Sequence, residues 1–241
     1  MTTAAAVRAA LRAVADPEKA AFYPRFFRAG PGEYGEGDRF MGVTVPKQRR
    51  IAKRCRTLPL RSVRALLRDP FHECRLTGLF VMVDRFGRTA GAERKAVVDL
   101  YLDHLDCVNN WDLVDASAHK ILGAWLADGD RGLLYDLAAS GHLWRQRIAI
   151  IATHDYIQAG DFDDTLALAD RLMDHPHDLI HKAVGWMIRE VGKQDQGVME
   201  DFLASRYRAM PRTMLRYAIE KLPEERRRAY LEGRVSSNGP L

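Results

Sequence analysis

The sequence predicts an all-α protein, an α-solenoid of helical hairpin repeats with a basic concave face. Three observations carry that prediction. Apolar residues recur at spacings of three and four, as in Leu76, Leu79, Phe80 and Val83, and again in Ile148, Ile151 and Ala152, while the period-two alternation of strands is nearly absent. The links between helical segments are short, which favours antiparallel neighbours. Arg75, Trp111 and Arg147 follow one another at intervals of 36 residues and Trp186 comes 39 later, each within a few residues of an expected helix start. A hairpin repeat of roughly 35–45 residues fits a HEAT-type array, in which second helices line the concave side and bring equivalent positions onto one surface.

The helices are expected at about 4–15, 18–28, 46–57, 60–68, 72–86, 90–105 and 110–126, then at 130–139, 142–158, 162–174, 178–192, 195–206, 211–219 and 223–231. The first is alanine-rich and mildly basic; it lacks the continuous apolar core and cleavage site of a signal peptide. Pro46, Pro70, Pro176, Pro211 and Pro223 lie near starts or breaks, where a missing N–H is tolerated. The segment 30–42, GPGEYGEGDRFMG, is rich in glycine and acid; it reads equally as a plain linker or as a loop close to substrate. It follows no strand, so its weak match to a dinucleotide fingerprint is set aside. In the helix from 110, Asn109 is expected as N-cap with Asp112 at the third position, an approximate capping box.

At 241 residues the chain is long enough for a substantial core, and it is treated as one domain over 1–241. Apolar residues make up 47% and charged residues 29%, as in an ordinary globule. No apolar run approaches the roughly 18 residues of a membrane span. Cys55, Cys74 and Cys107 form no disulfide framework or zinc knuckle and read as small buried apolar residues; a reducing, cytoplasmic setting fits them. The formal net charge of +5 is less informative than its distribution. Between Met41 and Arg68 there are nine Lys or Arg residues and no Asp or Glu, a concentration of charge able to hold phosphate or to form a solvated helical face.

Trp111 and Asp115 are the most informative pair. Four residues apart, they share a helical face with His119. Asp115 lies past the first-turn amides that would explain Asp112. A core tryptophan and a carboxylate paired with His119 are the plain alternatives. Trp125 and Trp144 read as core. Arg147 shares a side with Trp144 and is the better phosphate clamp, because its guanidinium forks onto two oxygens. Arg189 lies near Trp186, with a structural pair to Glu190 as its alternative, and Gly185 leaves room for close packing or for a ligand. His175, His177 and His181 lack a metal-binding pattern and read as surface or capping residues, so no metal site is expected.

The runs NNWDLVD (Trp111, Asp115), LWRQRIA (Arg147) and KAVGWMIRE (Trp186, Arg189), with FMGVTVPKQRR before them, resemble the bacterial AlkD-type DNA alkylation repair proteins over about Phe22 to Leu231. That family consists of HEAT-like DNA glycosylases acting on N3- and N7-alkylpurines in duplex DNA without extruding the base. The resemblance implies Trp111, Asp115 and Trp186 as the catalytic set and Arg147 and Arg189 as contacts to the DNA backbone. Thr44, Lys47, Arg49 and Arg50 lie in the DNA-contacting segment. Val45 has no side-chain donor where family members offer a polar contact, and the EYGEGDRF insert departs from the family pattern. Such a reaction needs no cofactor or metal, and no lysine stands out for a Schiff base. The partner implied is double-stranded DNA carrying alkylated purines, bound by a monomer with no obligate protein partner and no membrane. The alternatives are a non-catalytic DNA-binding or damage-sensing protein and a protein-binding helical scaffold.

Overall fold

The computed structural model describes residues 1–235 and divides into two compact units, residues 1–122 and from Gly123 onward. The first unit holds α1 (Ala4–Arg12), α2 (Pro17–Phe26), α3 (Val45–Lys53), α4 (Leu60–Leu67), α5 (His72–Arg88), α6 (Gly91–Leu102) and α7 (Trp111–Ala118). The second holds α8 (Ala124–Leu126), α9 (Gly132–Ala139), α10 (Leu143–Ala152), α11 (His154–Gln158), α12 (Asp163–Arg171), α13 (Asp178–Gln194), α14 (Gln196–Ala204), α15 (Arg212–Ala218) and α16 (Glu224–Leu231). The all-α expectation holds. Among the described residues there is no strand, and the one isolated β-bridge joins Arg39 to Phe71. No described helix is long and apolar enough to cross a membrane.

Within each unit the helices stack in two rows, as a helical-repeat solenoid requires. In the first, α3, α5 and α7 lie side by side, backed by α4 and α6. In the second, α10, α13 and α15 form the row, backed by α9, α12 and α14. The three-and-four apolar pattern goes into these contacts. Leu76, Leu79, Met82, Tyr101 and Leu113 are buried in the first unit; Ile148, Ile151, Ile180, Val184 and Ile188 are buried in the second. Gly185 is explained by packing, since a Cβ there would lie 2.4 Å from the Met214 carbonyl oxygen on α15.

Several expectations change. The helix expected at 110–126 stops as α-helix at Ala118 and continues as a π turn over His119–Gly123. Its last residue explains part of this: a Cβ at Gly123 would lie 2.2 Å from the carbonyl oxygen of Ala152, so only glycine lets that backbone approach. Trp125, expected in the core, is 36% exposed. Trp186 lies in the middle of α13, not near its start, so the regular spacing of the marker residues does not fix one position within each repeat.

The glycine-rich segment is not a plain linker. Glu33 accepts from the Gly30 amide and Glu36 from the Gly32 amide, and the Gly35 amide returns to the Arg28 carbonyl at 2.9 Å. A Cβ at Gly35 would lie 2.6 Å from the Phe27 carbonyl oxygen. The backbone then bridges to the head of α5, with the His72 amide donating to the Arg39 carbonyl at 2.8 Å. Buried Glu73 accepts from the amides of Met41, Gly42 and Val43 at 2.8 to 3.1 Å. Gly42 takes φ +79 there, against the backbone of Asp16. The start of α3 is therefore set by one buried carboxylate.

Candidate active site

The first turn of α7 is built one residue later than its sequence suggests. Asn110, not Asn109, is the N-cap; its extended backbone turns the side chain so that it accepts from the Trp111 amide at 2.9 Å. Its amide group donates to the Phe27 carbonyl. Asp112 is thereby freed from a capping box and meets the ring of His72.

Trp111 is half-buried on an aromatic stack. Its ring lies 5.5 Å from Phe27, near parallel at 21°, and Phe26 meets it edge-on at 5.8 Å. Phe27 in turn stacks on Phe40 at 5.2 Å. Phe22 and Phe26 stay 54% and 49% exposed, so this unit presents aromatic surface beside Trp111. One turn on, Asp115 is half-exposed while Leu113, Val114, Ser117 and Ala118 are buried. Burial pushes the phenol of Tyr101 up, the Ser117 hydroxyl opposes the shift, and the Asp115 charge adds to it. The helix thus turns its indole and its carboxylate to one partly open side, as the spacing implied.

A cleft of about 330 Å³ lies in the same unit, lined by Arg49, Lys53, Arg56 and Lys120 with Asp84 as the acid among them, over Ala52, Phe80, Val83 and Ala116. Arg49 spreads over the Phe80 ring at 4.2 Å. Lys120, in the π turn, has its amine pKa lowered by burial and by the Arg49 charge. Arg50 is exposed, Thr44 caps α3 without a side-chain hydrogen bond, and Lys47 donates to the Val14 carbonyl at 3.2 Å. Lys120 was not singled out by the sequence. Its position in a π turn, which bends an otherwise regular helix, left no periodic signal.

The second unit holds Trp186, Arg147 and Arg189. Trp186 is half-exposed, and its indole N–H donates to Glu190 at 2.9 Å; the His154 ring lies 6.2 Å away. Glu190 is buried and also accepts from Lys193. Burial works to raise its pKa, but the Lys193 hydrogen bond and charge, with the indole N–H, hold it below the usual carboxylate range. Arg189 pairs with Glu190 and, more closely, with Glu220. Arg147 is only 5% exposed and donates to the Leu179 carbonyl at 2.5 Å. Trp144 is buried, as expected. The three histidines cap and brace α13: His177 accepts from the Leu179 amide, and His175 bonds Gln146. Among the described residues no group of three or more His, Cys, Asp or Glu could hold a metal ion.

Comparison with known proteins bears on the whole chain. The family model for DNA alkylation repair enzymes matches residues 7–222. No curated protein matches the chain. Among solved structures, a predicted DNA alkylation repair enzyme from Enterococcus faecalis is similar, with a TM-score of 0.67 and 18% identity, over 87% of this chain and 97% of that one. At that identity the likeness is one of fold.

Proposed function

The chain belongs to the DNA alkylation repair enzyme family, and from that premise we propose that it is a monofunctional DNA glycosylase. It hydrolyses the N-glycosidic bond of cationic N3- and N7-alkylpurines in duplex DNA, without extruding the base, and leaves an abasic site. The observation that carries this reading is the half-exposed Trp111–Asp115 pair on one side of α7, whose other residues are mostly committed to the core.

An N3- or N7-alkylated purine already carries positive charge, so it departs with little acid assistance. Positive charge then develops on the deoxyribose at C1′. In the proposal Asp115 stabilises that centre and orients or deprotonates the attacking water. Indole faces attract such cations, each contact contributing about 0.5–2 kcal/mol; Trp111 takes that role, and Trp186 of the second unit keeps the catalytic assignment that the family resemblance implies. The route requires no cofactor or metal, and a monomer suffices. Arg49 and Arg50, exposed on α3, are the most direct phosphate contacts, with Thr44 and Lys47 beside them. Arg147 and Arg189 complete the set assigned to the backbone, each already engaged within the protein.

The test is to incubate the protein with a duplex containing N7-methylguanine and to identify released bases by mass spectrometry. Free 7-methylguanine with an unbroken abasic strand is expected. Asp115→Asn should keep duplex affinity and slow release by on the order of 10²-fold or more. Equal rates for Asp115→Asn and wild type would remove Asp115 from the chemistry. Duplex binding with no base released would leave a non-catalytic DNA-binding protein.

A further inference from the structure

His72 is a fully buried ionisable group of the first unit. It opens α5, is 1% exposed, and points both ring nitrogens at carboxylates. Nδ1 lies 2.9 Å from Asp38 of the glycine-rich loop, and Nε2 lies 2.9 Å from Asp112 of α7. Two carboxylate partners accept only, so both nitrogens must carry protons and the ring is an imidazolium. Its face rests on Phe27 at 4.7 Å and on Phe40 at 5.2 Å, and Phe27 carries Trp111 on the same stack. Trp111 is therefore approached twice from one residue: through the ring stack, and through Asp112, its neighbour in sequence.

We propose that His72, clamped between Asp38 and Asp112, is the positioning residue for the Trp111 indole, and that the glycine-rich loop exists to supply the second carboxylate of that clamp. The loop has no other buried acid to offer. Asp38 is also held by Arg75 at 2.5 Å and approached by Asn109 at 3.4 Å, so loop, α5 and the entrance to α7 meet at one carboxylate. The remaining acid at the head of α5, Glu73, is occupied by the amides of residues 41–43. Arg8 of α1 is engaged with Asp69. The charges acting on the ring are thus Asp112 and Asp38, opposed by Arg75 of its own helix. Burial works against the charged ring, but the charge and hydrogen bond of Asp112 and the bond to Asp38 outweigh it and push its pKa up to about 9. Asp38 shows the counterpart: burial would raise its pKa, and the His72 and Arg75 contacts bring it below the usual carboxylate range.

The role rests on the reading of Trp111 as a lesion contact, but its test has a readout of its own. The four tryptophans give four indole N–H resonances, and the Trp111 signal is identified by its loss in Trp111→Phe. Tyr23, whose phenol is raised by burial and lies beside Phe27 and Phe40, is replaced by Phe in the background to remove the other alkaline group near the stack. The Trp111 resonance should then move with pH about a midpoint near 9. In His72→Gln that movement should vanish, and base release should slow about tenfold or more through kcat, with KM nearly unchanged. Asp38→Asn, which keeps the size of the side chain, should lower the midpoint. The titration leaves the clamp residues themselves unchanged. A Trp111 signal that stays flat from pH 7 to pH 10, or a folded His72→Gln protein with unchanged signal and kcat, would overturn the proposal. If the signal titrates but no base is ever released, the glycosylase reading falls and the clamp stands. If base is released and the signal is flat, the clamp falls alone.

Discussion

At the residue scale, the basic side chains divide by what they already hold. Arg49 is exposed, lines the cationic cleft and rests its guanidinium on the face of the Phe80 ring. Arg147 is buried and spends one N–H on the Leu179 carbonyl. The two should fail differently. Arg49→Ala should leave the melting temperature nearly unchanged and lower the salt slope of duplex binding by about one. Arg147→Ala should cost about 1–3 kcal/mol, because it removes a buried, charge-assisted hydrogen bond to the Leu179 carbonyl. Fluorescence anisotropy across a salt series, with thermal unfolding alongside, separates them; an unchanged slope for Arg49→Ala would take that residue off the phosphate path. The sequence could name both arginines, but not this difference. Burial of a guanidinium depends on which helix lies opposite, and no local spacing records that. The same holds for His72: its place at a helix start was visible, while its two carboxylates come from positions 34 residues before and 40 after.

At the element scale, α7 shows how far periodicity reaches. Its existence, its approximate start and the shared side of Trp111 and Asp115 follow from residue spacing alone. Sequence alone sets its cap one residue early, because two asparagines in a row offer the same chemistry and only the contact of Asn110 with the Phe27 carbonyl selects between them. The far end was legible only as helix. The π turn arises where Gly123 meets the Ala152 backbone, a long-range contact. Asn110→Ala should cost about 1 kcal/mol in urea unfolding, and more than Asn109→Ala, whose side chain holds only a long contact to Asp38. The reverse order would return the cap to Asn109. Most other helices begin and end within a few residues of expectation, since caps, prolines and apolar stripes coincide at their ends.

At the scale of the whole molecule, the stacking of helix rows within each unit gives the fold its repeat character, and the match to the family extends across both units. The insert between α2 and α3 is the main departure from a plain helical repeat, and it is held by charge more than by apolar burial. Its stability should therefore depend on pH. His72 has a folded-state pKa raised from 6.5 to about 9, so its contribution is fully present below pH 6.5 and is lost as pH rises through 9. Urea midpoints at pH 7 and pH 10 should differ in the wild type and much less in His72→Gln; equal differences would place the alkaline loss elsewhere. The loop is latched through the two N–H groups of one imidazolium, so base should loosen it at His72 before the surrounding helices unfold. Trypsin would then find its first entrances after Arg28 and after Arg39, and a nick at either would report the state of the indole seat without any substrate in the tube.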